Sequence, residues 1–546
     1  MPHAVVKRAR ALVVAAALGA LAQHPVRADE GHDHGEGHAH MHGASEVLGH
    51  VHFAVTCTQA AQQAFDRAIA LEHSFWYQAA KQGFADVLAA DPHCVMAYWG
   101  TAMSLLFNPF GPTPVNNLAE GAAALAKAKE IGATSPREAD YIAALTVFYT
   151  DFDKRDQRTR VVAYAKAMGE VAARYPDDSE AQIFYALALD TSASPSDKTY
   201  ANQLQAAAIL EKAFAAQPDH PGVAHYLIHT YDSPALAEKG LPAALRYAEI
   251  APSAPHALHM PSHIFTRVGY WQQSIDTNRR SAEVAAAAGE IGEQMHARDY
   301  MAYAQLQIAQ DEATRRLVEE IPGVMAKAPP ATAAGGAYFA AAATPARYAL
   351  ERGAWAEAAA LTRPPSGVPF YDSLTPFARG VGAARAGKPG SADTELAHLR
   401  SLETQLKSGN AYLADLIGIE GDVVAAWIAH AEHKPDAVAL LRAAAEREDK
   451  TEKPPITPGP LAPAREMLGE MLLEDGQPAA ALAEFEASQR VEPNRFRSLY
   501  GAARAAELSG DRARARQYYA RLVELCRTAE GERAELRQAK AYLSQG

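Results

Sequence analysis

The chain has 546 residues, 49% hydrophobic and 21% charged, with a formal net charge of −12. At ~100–200 residues per domain, this length excludes a single compact core, and the hydrophobic share excludes disorder along the whole chain. The acidic balance speaks against a nucleic-acid partner held by bulk electrostatics, and 3 Cys are too few for a disulfide scaffold.

Lys7, Arg8 and Arg10 are followed by an apolar run over 11–22 that ends in Ala20-Leu21-Ala22. Basic, apolar and small-residue regions in that order predict a Sec-type signal peptide at 1–22 and a periplasmic or secreted protein. Val26-Arg27-Ala28 is a second cleavage candidate. The apolar run falls short of the ~20 residues that cross a bilayer, and no cysteine follows it, so no membrane anchor is expected.

Residues 23–52 read as a disordered linker rich in histidine. His32, His34, His38, His40 and His42 alternate with Asp33, Glu36 and glycines, with too few apolar residues to build a core. Alternating imidazoles suit loose capture of zinc, copper or nickel, weakened by the chain entropy lost on chelation. The competing reading is a solvated linker. An oxidising location makes Cys57 and Cys94 a disulfide candidate, while Cys526 reads as a buried apolar thiol.

From about residue 59 the composition turns to helix. Alanine is abundant and β-branched residues are thin, which predicts an all-α fold. Ala80, Phe84 and Pro92 have spacings of four and eight, repeated by Ala206, Leu210 and Pro218 and by Ala481, Phe485 and Pro493. Pro218 to Pro252, Ala481 to Ala515 and Phe485 to Tyr519 are each 34 residues. A small residue lets two helices approach, a large one fills the gap beside it, and proline is expected in the next helix's first turn. This pattern resembles the tetratricopeptide repeat (TPR). That resemblance implies a solenoid of helical hairpins in a right-handed superhelix, with the first helix of each pair lining a concave groove. The expected division is 53–321 for regular repeats, 322–451 for irregular helical repeats, 452–463 for a proline-rich linker, and 464–546 for C-terminal repeats with a polar capping helix.

The histidines carry the chemistry. His225 and His259 are 34 apart, as are His229 and His263, and His256 joins the second set. Residues three and four apart share a helix face, so His225, His229 and Asp232 form one stripe and His256, His259 and His263 another. Five imidazoles at matched repeat positions point to a transition metal (copper, zinc or iron) held by groove-facing side chains. A polar groove without metal and structural histidines are the competing readings. The His-x-x-x-His steps lack the glutamate of a zincin. Asp232, His296 and His73 are possible additional ligands. Asp232 is also a candidate for fixing an imidazole tautomer. Asp232 and Asp299 are candidate bases, and Arg267 a candidate anchor for an anion.

The segments 71–77 (LEHSFWY), 91–104 (DPHCVMAYWGTAMS), 225–232 (HYLIHTYD) and 256–271 (HALHMPSHIFTRVGYW) are similar to a group of exported bacterial TPR proteins marked by these His motifs and largely uncharacterised. The resemblance implies location and fold, with no reaction attached. No phosphate loop, dinucleotide fingerprint, Gly-x-Ser-x-Gly elbow or Cys-x-x-Cys motif occurs. The leading expectation is an exported solenoid that binds metal and holds a protein, peptide, small-molecule or metal cargo in its groove. The alternatives are a metal-dependent hydrolase or copper/iron oxidase or oxygenase in the same groove, and a metal-free interaction scaffold.

Overall fold

The computed structural model describes residues 46–331, 334–362, 365–531 and 533–545. The expected signal peptide and the tract from His32 to His42 lie outside the described residues. Twenty-seven α-helices follow one another among the described residues, from Gln59–His73 to Ala534–Ser544. The β-pairing found there is an isolated bridge between Gln310 and Glu530.

Consecutive helices pack as neighbours, as short connections require: Gln59–His73 on Tyr77–Ala90, and Pro478–Val491 on Phe496–Leu508. The repeat residues do the packing. Ala80, Phe84, Ala481 and Phe485 are fully buried. Glycines make room for the aromatic rings: a Cβ at Gly100 would sit 2.2 Å from the Phe84 ring, and one at Gly501 2.3 Å from Phe485. Gly501→Ala should therefore cost about 1–3 kcal/mol, seen as a lower urea midpoint at unchanged slope. An unchanged midpoint would mean that Phe485 swings aside freely.

The repeat prolines sit elsewhere than expected. Pro92, Pro218 and Pro252 precede the helices, in tight turns closed by Cys94 N–H to Asp91 O (3.1 Å), His220 N–H to Gln217 O (3.2 Å) and Ala254 N–H to Ala251 O (3.1 Å). Proline's fixed φ suits the second position of such a turn.

One further expectation needs correction. Residues 47–52, assigned to the disordered linker, join the body: Leu48 is buried, and His50 N–H donates to Asp219 O at 3.0 Å. The segments 53–321, 322–451 and 464–546 belong to one compact unit, Val47–Gly546. Within 322–451 the helices Leu374–Arg385, Pro389–Leu406 and Ala411–Ala431 stack in order around Leu399, Val424 and Trp427. Cys57 and Cys94 are joined in a disulfide, and Cys526 is a buried free thiol.

Candidate metal centre

The helix Pro221–Tyr231 carries His225 and His229 on one face. His256 and His259 lie on Pro255–His259, and His263 and Arg267 on Pro261–Val268; Pro261 separates these two short helices. His296 comes from Ile291–Gln307. The six rings meet in the interior. His225 and His259 are 0% exposed, His263 1% and His256 7%. His229 and His296 are partly exposed, so the rings are largely enclosed by the fold instead of lining a groove as expected.

The two sequence stripes also regroup. Ligand nitrogens of His225, His229 and His256 lie within 4.8 Å of one another, and those of His259, His263 and His296 form a second such group. The reason is axial rise. At 1.5 Å per residue, His256 and His263 stand roughly 10 Å apart along the helix direction, beyond the ~4 Å that two nitrogens on one ion span. Each stripe must therefore split.

Hydrogen bonds at Nδ1 aim the opposite nitrogens inward. His225 Nδ1–H donates to the His73 carbonyl at 2.6 Å, and His256 Nδ1–H to Glu293 Oε2 at 3.0 Å. Both acceptors lack a proton to give, so in the neutral ring Nε2 carries the lone pair. The Nε2 atoms of His225, His229 and His256 are all buried with no hydrogen-bond partner. Around them stand aromatic rings: Phe75 stacks on His229 and His256 (5.7 and 5.5 Å between centroids), Phe110 on His229 (4.3 Å), and Tyr247 on His225 (5.2 Å).

The second triad shows the same device. His263 Nδ1–H donates to Asp232 Oδ2 at 2.8 Å. His259 Nδ1–H donates to Asn278 Oδ1 at 2.7 Å, and the Asn278 amide is oriented by its own donation to Ser274 O at 2.7 Å. Both Nε2 atoms are then acceptors, yet they face each other at 3.1 Å. Two buried lone pairs at that distance repel unless a proton or a metal cation lies between them.

Burial drives the imidazoles of His225, His229, His263 and His296 well below their ordinary pKa, and His259 to about 4. Neutral imidazole is the ligand form. Burial would raise the Asp232 carboxyl, but Lys453 and Arg267 overcome it and hold it well below the carboxylate range. Lys453 Nζ donates to Asp232 Oδ2 at 2.7 Å and Arg267 Nε to Oδ1 at 2.8 Å. Arg267 also reaches Glu452 at 3.4 Å. Asp232 thus orients an imidazole, and Arg267 is engaged by carboxylates instead of being held open for an anion. Asp299 Oδ1 accepts from Arg347 Nε at 3.0 Å, both residues fully buried, while its Oδ2 has no hydrogen-bond partner and burial raises the carboxyl.

His73 joins neither triad; it belongs to a third buried group, with Glu180 and His220, whose ligand atoms lie within 4.8 Å of one another. Its Nε2 and that of His220 flank Glu180 at 2.9 and 2.8 Å. Its Nδ1 meets the Tyr226 hydroxyl at 2.9 Å, while His220 Nδ1 accepts from Val223 N–H at 3.3 Å and caps its helix. Burial would raise Glu180, but the two histidines pull it far down. Every imidazole nitrogen here is satisfied, and His73 serves the first triad through its carbonyl.

Residues 452–463, expected as a linker, form a strap beside the second triad. Besides Lys453, the carbonyls of Pro455 and Thr457 lie 3.0 Å from the Tyr300 hydroxyl, and Arg347 bonds Thr457 Oγ1 at 2.7 Å. Sequence alone carries no signal for this contact, which spans 221 positions from Asp232 to Lys453.

Comparison of the sequence with protein families and with curated proteins finds no match. Among solved structures, the chain is similar to yeast Tom70 at 11% identity, over 89% of this chain and 96% of that one, with a TM-score of 0.34. It is also similar to a monomeric IFIT1 mutant with Gppp-AAAA (11% identity, 86% and 98% covered, TM-score 0.33). A third is the APC/C hetero-tetramer Cut9–Hcn1 (10% identity, 89% and 95% covered, TM-score 0.28).

Proposed function

We propose that the chain is a helical-repeat metalloprotein whose six histidines hold two transition-metal ions. Each ion rests on three imidazoles, with a coordination position left for a small ligand. The observation that carries this reading is the opposed pair His259 Nε2 and His263 Nε2, 3.1 Å apart, with both protons committed to acceptors on the far side. A tetrahedral ion with bonds of ~2.0–2.1 Å sets two such nitrogens about 3.3–3.4 Å apart. The three orphaned Nε2 atoms of the first triad support the same reading. Imidazole donors suit copper, zinc and iron.

Enclosure favours a small ligand over a peptide. Asp232, Asp299 and Arg267 are all held in ion pairs, which favours metal holding and small-ligand binding over hydrolysis with a free base. The N-terminal tract would raise the local concentration of metal, and export would place the chain where such metal is captured.

The test is elemental analysis of the untagged full chain, with the five tract histidines changed to alanine, after metal loading and dialysis. Two ions per chain are expected. His225→Ala with His229→Ala should lose one, and adding His259→Ala with His263→Ala should lose the other, with circular dichroism confirming that helix is retained. Metal content below one ion per chain, or unchanged by the four alanines, would overturn the proposal.

A further inference from the structure

The two triads adjoin. The rings of His229 and His263 are 5.6 Å apart and those of His256 and His259 5.9 Å. Within the triads the separations run from 4.3 to 6.4 Å. The gap between the groups is therefore no wider than the gaps inside them. Two ions on such rings come within reach of one bridging ligand, as in two-metal sites with ions ~3.5–4 Å apart.

Charge then restricts what the pair can be. As metal ligands all six donors would be neutral imidazoles. The nearest fixed charges cancel, with Asp232, Glu293 and Glu452 against Lys453, Arg267 and Lys198. The ions' own charge is thus unbalanced in a buried site, where each uncompensated charge costs several kcal/mol. A divalent pair adds four positive charges, and a monovalent pair adds two. Among the metals that imidazole suits, copper has a stable monovalent state.

Resting on the two-ion reading above, we propose that the six histidines form one dinuclear copper centre whose ligand is dioxygen. Each copper(I) gives one electron. Dioxygen keeps its O–O bond, takes both electrons and becomes a peroxide dianion bridging two copper(II) ions, with no proton moved. The buried centre carries two positive charges before and after, so its low-dielectric surroundings do not oppose the change.

The walls fit an apolar diatomic ligand. Phe75 has φ of +54°, a left-handed conformation rare for a bulky side chain, at the end of Gln59–His73. Phe75 N–H donates to Glu72 O and Trp76 N–H to Leu71 O, both at 3.0 Å, and this turn sets the ring against three of the histidines. Behind the ring, with none of the six histidines in its wall, lies a cavity of about 30 Å³ whose lining is mostly apolar but includes Glu72, Thr113, Gln157 and Thr191. It is large enough for one small molecule, and its largely apolar wall offers water few partners.

The test uses the full chain with the tract histidines changed to alanine, loaded with copper(I) without air and then exposed to air. The expected result is two coppers per chain, uptake of one dioxygen per two coppers, a near-ultraviolet charge-transfer band, and a copper(II) electron paramagnetic resonance signal far below the copper content. His263→Ala, shown by circular dichroism to be folded, should hold one copper with a full resonance signal and take up no dioxygen. Two coppers that both give full resonance signals would overturn the dinuclear inference and leave the two-ion reading standing. Retention of less than one copper would overturn both. A His263→Ala protein that still takes up dioxygen with its copper silent would overturn the pairing of the triads.

Discussion

Asp232→Ala should destabilise the fold by about 3–5 kcal/mol and weaken metal binding about 10–100-fold. The Asp232 carboxylate is 7% exposed and faces two cations that are slightly more buried, Lys453 at 4% and Arg267 at 6%. Removing it leaves both without their strongest partner, in a site where water cannot replace it. The same change frees His263 Nδ1, so the imidazole loses the acceptor that aims its Nε2 at the second ion. It also cuts a bond from the strap to the centre, so residues 452–463 should become more open to proteolysis. Two variants separate charge from shape. Asp232→Asn removes the charge and keeps an acceptor for His263. Adding Lys453→Met removes one stranded cation, so the double variant should be more stable than Asp232→Asn alone. Urea unfolding and metal titration check both effects. A loss below about 1 kcal/mol for Asp232→Ala would show that the buried cations find other partners.

The 34-residue spacing made the helical repeat legible, because Ala80, Phe84, Ala481 and Phe485 pack as that spacing requires. The same register marked five of the six histidines of the two triads, with His296 one of three further candidates beside Asp232 and His73. What it could not show was which ones meet. A helical wheel places His256, His259 and His263 on one stripe, but a wheel ignores rise along the axis, and rise sends His256 to the first triad. Nor could it show enclosure, because the covering groups come from distant parts of the chain. Phe75 lies 150 positions before His225, and Lys453 221 after Asp232. Asn278 and Glu293 carry no motif, and only their place opposite His259 and His256 makes them tautomer-fixing acceptors. The proline-rich composition of 452–463 was read as a linker because it cannot be helical. A segment without helix can still be pinned when its carbonyls and Lys453 find buried partners.

Glu72→Gln should stabilise the protein, and the gain should grow with pH. Glu72 is 4% exposed and accepts a hydrogen bond from Ser104 Oγ at 2.6 Å. Burial raises its pKa from 4.5 to about 8, against the smaller opposite pull of Ser104. The unfolded chain releases this proton near pH 4.5, while the folded chain keeps it to about pH 8. Between those values the folded state binds more protons, so stability falls as pH rises. The contribution of the protonated carboxyl is complete below pH 4.5 and gone once pH passes about 8. Each pH unit in that window is worth at most about 1.4 kcal/mol, so the accumulated penalty approaches about 5 kcal/mol at pH 9 as an upper bound. Glutamine keeps the shape and an oxygen for Ser104 without a charge to bury. The variant should match the parent near pH 4.5 and exceed it by a few kcal/mol at pH 8–9 in urea unfolding. A gain that does not change with pH would mean that the carboxyl ionises in the fold without penalty. Glu72 also borders the cavity behind Phe75, so its proton keeps a charge out of that wall. Because it bonds none of the six histidines, Glu72→Gln should leave the metal content unchanged, and stability and metal loading would then move independently.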